Sequence, residues 1–175
     1  ARLMALIVED GSGVVGANTY RSLEDIRLWA EARGVTTIPT DDAEAEILVI
    51  KAMDFIERLR DKFAGSPSSP GQALSFPRDG IFYECDYIAA DVIPTRVKDA
   101  LTLLTIYASQ GIELEPIHAG GETKFLIRQK LGPIEREYSE AAFLASSAMP
   151  AFYPVSSLLA PFLRRGFGQL AISRA

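Results

Sequence analysis

Residues 3–20 read LMALIVEDGSGVVGANTY, and the fold class turns on what their glycines do. Gly11, Gly13 and Gly16 fit the G-x-G-x-x-G dinucleotide fingerprint and also the opening of a phosphate-cradling P-loop. A fingerprint needs a strand, a tight turn and a helix that begins inside the motif, so that a pyrophosphate rests on the helix N-terminus. Leu6-Ile7-Val8 supplies a candidate strand. The helix, however, starts only near Ser22, after the polar Asn18-Thr19-Tyr20, and a second, acidic helix follows where a βαβ unit demands a strand. The P-loop fails on chemistry, because Ala17-Asn18 stands where Lys and Ser or Thr would hold phosphate and magnesium. Residues 1–20 therefore read as a glycine-rich arm, with no nucleotide and no other cofactor.

Downstream, Ser22 and Asp25 resemble a capping box, followed by Leu23, Ile26 and Ala30 at helical spacing until Gly34. Asp41, Asp42, Glu44 and Glu46 load the start of a second helix, where the dipole favours negative charge. Its apolar stripe is predicted at Leu48, Ala52, Phe55, Leu59 and Phe63, opposite a solvated face of Lys51, Glu57, Arg58, Asp61 and Lys62. Residues 64–71 form a loop by composition, and Pro77 keeps Phe76 extended or in a turn. Ile81 to Ile88 reads as one short strand. Pro94 opens a third helix, with Val97, Leu101, Leu104 and Ala108 on one face and Gly111 at its end. Strand formers at 124–131 and 134–138, parted by Gly132-Pro133, predict a hairpin, and a last short helix runs near Val155 to Arg165, broken at Pro161. The expected fold is α+β: a helix-rich single domain over 21–165 with a small β-hairpin near 124–138, an N-terminal arm (1–20) and a C-terminal tail (166–175).

With 175 residues, the chain is long enough for one domain with a real core. A net charge of −5 weighs against a dedicated nucleic-acid binder, which usually presents a basic face. Cys85 is the single cysteine and His118 the single histidine, so an intrachain disulfide is excluded and a zinc site would need several carboxylates. His118 lies in a Gly-flanked stretch that reads as a loop. Glu9-Asp10, Glu24-Asp25 and Asp41-Asp42 are sequence neighbours whose helix-start and loop duties suffice to explain them. No constellation for nucleophilic or acid–base chemistry emerges, and the expectation is that the protein is not an enzyme. The uncharged run Ala141–Leu163 has the length of a membrane span, but Pro150, Pro154, Pro161 and four serines argue for a buried or interface segment.

Five stretches taken in order carry a resemblance: Ala5–Ser22, Gln72-Ala73-Leu74-Ser75-Phe76-Pro77-Arg78, Ile93-Pro94 with the helix after it, Lys130–Tyr138, and Leu158–Leu163. Together they resemble tailed-bacteriophage proteins labelled DnaT-like single-stranded-DNA-binding proteins; that family often has Trp before Pro-Arg, where this chain has Phe76. In size and helical-plus-hairpin layout such proteins are similar to head–tail connectors, which form rings between the portal and the next tail component. The resemblance thus implies two functions. Single-strand binders combine a positive groove with exposed aromatic platforms, whereas this chain is acidic and its aromatics mostly lie in apolar stripes or beside Pro and Gly. The expected reading is therefore a connector (adaptor) subunit of the virion neck, made in the host cytoplasm. Its partners would be a dodecameric homo-oligomeric ring, the portal protein and a tail-side connector or tail terminator, with double-stranded DNA passing through and no membrane. Phe162, Arg164, Arg165, Phe167 and Arg174 are the candidate docking residues. The alternative is a DnaT-like single-stranded-DNA-binding protein of phage replication.

Overall fold

A computed structural model describes residues 5–114, 128–131, 134–137 and 152–164. Helix α1 (Leu23–Glu31) begins where Ser22 caps it: the Ser22 hydroxyl oxygen accepts from the Asp25 amide at 3.1 Å and its O–H donates to the Asp25 carboxylate at 2.7 Å. Gly34, at φ +69°, ends the turn that follows, as its sequence position predicts. Helix α2 (Asp42–Glu57) starts with Asp42 and Glu44 in its first turn. Its buried face is broader than the expected stripe and holds Ala45, Val49, Ala52, Met53, Phe55 and Ile56, while Leu48 and Leu59 are half-buried. The reason is that α2 packs against both α1 and the central helix α3 (Thr95–Ser109), so it needs apolar residues on two sides. A short 3-10 turn over Arg60–Lys62 then delivers Phe63 to the core with no solvent exposure.

Helix α3 buries Val97, Ala100, Leu101 and Leu104, and its buried Thr102 and Thr105 hydroxyls donate to the carbonyls of Lys98 and Leu101 one turn back. It also packs on helix α4 (Tyr153–Leu159), whose Val155 and Leu159 are buried. A 3-10 turn containing Pro161 places Phe162 in the core, and Leu163 bridges back to Phe63. Among the described residues no helix is long and apolar enough to cross a membrane; residues 141–151 of the run weighed for that role lie outside the described residues.

Strands are short. Strands β1 (Ser66–Pro67) and β2 (Arg78–Asp79) pair antiparallel, and β3 (Phe82–Tyr83) pairs antiparallel with β4 (Asp86–Tyr87). The run 81–88, expected as one strand, instead folds back on itself at Glu84-Cys85. A separate unit, Glu115–Phe152, contains the antiparallel pair β5 (Arg128–Leu131) and β6 (Ile134–Glu137), in the register Arg128↔Glu137 to Leu131↔Ile134. This is the hairpin expected near 124–138. The architecture is mixed α+β, as the sequence predicts.

The segment Gln72–Arg78 is fastened to the helices by polar contacts. Glu57, expected on the wet face of α2, instead takes three hydrogen bonds: from the Tyr20 hydroxyl (2.9 Å), the Ser75 amide (2.8 Å) and the Ser75 hydroxyl (2.8 Å). Arg78, only 2% exposed, donates to the carbonyls of Ala64, Ser75, Phe63 and Gly65. Between these two anchors, and followed by a cis bond to Pro77, the Phe76 ring meets Phe63 (5.0 Å), Phe162 (6.2 Å) and Tyr20 (6.3 Å) edge to face. Edge-on packing matches ring edges to ring faces and adds to the apolar burial. The stretch whose residues carry part of the family resemblance is thus a strap across the core.

Candidate functional site

The glycine segment forms a closed loop. Val8 and Thr19 make an isolated parallel bridge, the Glu9 amide donates to the Thr19 carbonyl at 2.8 Å, and the Asn18 side chain accepts from the Ile7 amide at 2.7 Å. Within it, one oxygen of the Glu9 carboxylate, 1% exposed, accepts from the amides of Gly11 and Gly13, each at 2.9 Å. Those are the groups that would have to face a phosphate. A buried side-chain carboxylate already occupies them, and the helix that should receive the pyrophosphate begins seven residues after Gly16, at Leu23. Gly11 lies at φ +112°, where an added Cβ would sit 1.8 Å from the Asp91 carbonyl oxygen, so its lack of a side chain serves chain packing.

Three of the other paired acids, Asp10, Asp25 and Asp42, also have local partners. Hydrogen bonds from the Ser12 side chain and then the Ser12 amide lower the pKa of Asp10; Asp25 completes the α1 cap, and Asp42 pairs with Arg27 at 2.8 Å. No three His, Cys, Asp or Glu side chains come together as metal ligands among the described residues. His118 lies outside the described residues.

A further surface feature is the β3–β4 hairpin. Buried Ile81 anchors it, and the Ile88 amide donates to the Ile81 carbonyl at 2.9 Å. Its register puts Phe82 opposite Tyr87 and Tyr83 opposite Asp86, on alternate faces. Phe82 and Tyr87 are 60% and 68% exposed, with ring centroids 5.3 Å apart at 69°. The other face turns Tyr83 onto Phe162 (5.3 Å) and under Arg96, whose guanidinium lies 5.7 Å from the Tyr83 ring centre. A hydrogen bond with the Glu84 side chain, more than burial, raises the pKa of Tyr83. Arg96 and Lys98 sit in the first turn of α3, which contains no acid, so their charges add to the positive end of the helix dipole. Glu84 (φ +51°) and Cys85 (φ +67°) are the non-glycine residues held at positive φ among the described residues. That is the geometry of a two-residue hairpin loop, normally given to Asn-Gly. It is strained for a glutamate followed by a cysteine.

Phe82 and Tyr87 are therefore exposed, exceptions to the expectation that the aromatics mostly lie in apolar stripes or beside Pro and Gly. The signal available in the sequence was Ile81-Phe82-Tyr83 and Tyr87-Ile88 flanking a charged, glycine-free gap, which reads as continuous strand. Trp29, half-buried on α1, has one ring face covered by the Arg33 guanidinium at 3.4 Å, which leaves less of it for a ligand. Of the candidate docking residues, Phe162 is fully buried and packs in the Phe76 cluster, and Arg164 donates from Nε to the Phe63 carbonyl at 3.0 Å. Arg165, Phe167 and Arg174 lie outside the described residues.

No curated protein and no solved structure matches the chain. A family model does, over residues 4–175, and its description is "Putative DnaT-like ssDNA binding protein". This match overturns the connector reading, and with it the expected ring, the portal and tail-side partners and the passage of duplex DNA. Net acidity and an aromatic inventory taken from sequence had favoured that reading, and the exposed hairpin removes half of its basis. With the match running from residue 4 to the last residue, the chain belongs to the DnaT-like single-stranded-DNA-binding family.

Proposed function

We propose that this protein binds single-stranded DNA without catalysing a reaction, and that unpaired bases stack on the Phe82–Tyr87 face of the β3–β4 hairpin. The observation that carries the reading is an aromatic cross-strand pair more than half exposed on a hairpin with a strained tip. Aromatic rings accept any base, because every base has a π-face, and each such stack is worth about 1–3 kcal/mol. Arg96, over the Tyr83 face of the same ribbon, supplies a nearby cation for phosphates. The family membership supports the same ligand. Unpaired strands of this kind arise during DNA replication, which is where such a binder acts.

Fluorescence anisotropy with a labelled oligothymidylate tests the reading. Phe82→Ala and Tyr87→Ala are each expected to weaken binding about tenfold, in line with the loss of one stack. With one cation engaged, the slope of log K against log salt should be shallow, about −0.7. Absence of binding at low salt, or unchanged affinity in the combined alanine variant, refutes the proposal.

A further inference from the structure

The hairpin carries two carboxylates that base stacking does not use. Glu84 stands at the tip and Asp86 opens β4; both are exposed, and neither forms an ion pair among the described residues. Asp86 accepts from its neighbour's amide, at Tyr87, and Glu84 from the Tyr83 hydroxyl. The ribbon is two strands wide, with strands about 5 Å apart. Both charges therefore lie within about one Debye length, ~10 Å at 0.1 M salt, of anything resting on the Phe82–Tyr87 face.

We propose that Glu84 and Asp86 set the strand specificity of this site, holding off duplex DNA and leaving an unpaired base as the preferred ligand. The inference rests on the single-strand reading above. A duplex carries one phosphate charge for about every 1.7 Å of its axis, against about 3.4 Å for one strand. The same two carboxylates thus oppose a duplex about twice as strongly in free energy, and affinities follow as a square. Geometry acts in the same direction. A duplex shows base faces only at its ends, so along its length it approaches with phosphates, the groups that the carboxylates repel. A single strand can turn a base toward the ring pair and its phosphates away.

The test compares a labelled oligothymidylate with a duplex of equal length, using the full chain at low salt. In Glu84→Gln/Asp86→Asn, single-strand affinity should rise about threefold and duplex affinity about tenfold, so the preference for single strands narrows. Asp86→Asn alone keeps the Tyr83–Glu84 hydrogen bond and should shift both affinities the same way, by about half as much on a logarithmic scale. Glu24→Gln/Glu44→Gln makes the same change in net charge on the first turns of α1 and α2, and should leave the ratio of the two affinities unchanged. An unchanged ratio in the hairpin variants, or an equal shift in the helix variant, overturns this proposal and leaves single-strand binding standing. If the native chain binds no single strand at all, both readings fall.

Discussion

Replacing Glu9 by alanine tests whether the glycine loop is held by its own carboxylate. One Glu9 oxygen accepts two amide hydrogens at 2.9 Å in a site 1% exposed to solvent. A hydrogen bond to a charged group contributes about 1.5–3 kcal/mol, and each stranded amide adds a desolvation penalty. Glu9→Ala should therefore cost about 3–5 kcal/mol, a large part of the 5–15 kcal/mol by which domains are typically stable. Glu9→Gln keeps a carbonyl oxygen able to accept both amides and should cost about 1 kcal/mol. Urea unfolding followed by circular dichroism measures both, and an unchanged m-value confirms that the same surface unfolds. Formate supplies a second readout, since it is small enough to replace the deleted carboxylate. It should raise the melting temperature of Glu9→Ala more than that of the native chain. If Glu9→Ala lay within about 0.5 kcal/mol of native, or no more destabilised than Glu9→Gln, the carboxylate would not be what holds this loop. If ATP or NAD stabilised the native protein, the loop amides would be open to phosphate after all.

Tyr20 gives a pH prediction. Burial, and next the Glu57 charge, hold its hydroxyl pKa well above the ordinary value of 10.0, so its contribution is complete below pH 10 and is lost as pH rises beyond it. Tyr20→Phe should be less stable at neutral pH by about 1–2 kcal/mol yet lose less stability between about pH 10 and 11.5, and parallel alkaline slopes for the two proteins would contradict this. Cys85→Gly should relieve the φ of +67° and stabilise the protein by about 1 kcal/mol in urea titrations. A destabilised glycine variant would mean that Cys85 is not strained.

What could be read from sequence was what lies within a few neighbouring residues. Ser22 with Asp25, Gly34, Pro94 and Gly111 mark helix ends by local chemistry, and the structure places ends there. Glu57 could not be read that way, because its partners Ser75 and Tyr20 lie 18 and 37 positions away and the helical wheel assigns it only to the polar side. Arg78 hides for the same reason: its four carbonyl partners become a site only once residues 63–65 and 75 have met it. The hairpin at 81–88 failed differently. Turn chemistry is the cue for a reversal, and Glu84-Cys85 is a pair that tight turns disfavour. With the reversal unseen, Phe82 and Tyr87 read as members of one strand, and the exposed pair could not be found.

Net charge misdirected the functional reading for a related reason. A total of −5 sums over the whole surface, whereas a bound strand feels charges within about a Debye length. At the hairpin itself Arg96 lies over Tyr83 while Glu84 and Asp86 sit on the ribbon, which suits a site that relies on stacking more than on counterion release. Core packing accounts for Ile81 and Tyr83, which are buried or lean on Phe162, but it makes no use of Phe82 and Tyr87. Nor does stability account for the tip, since glycine there would serve it better. Two unfavourable features, exposed rings and a strained turn, meet on the same few residues. A fold that needed only to stay folded would retain neither, and a ligand that stacks on the ring pair gives a reason for both.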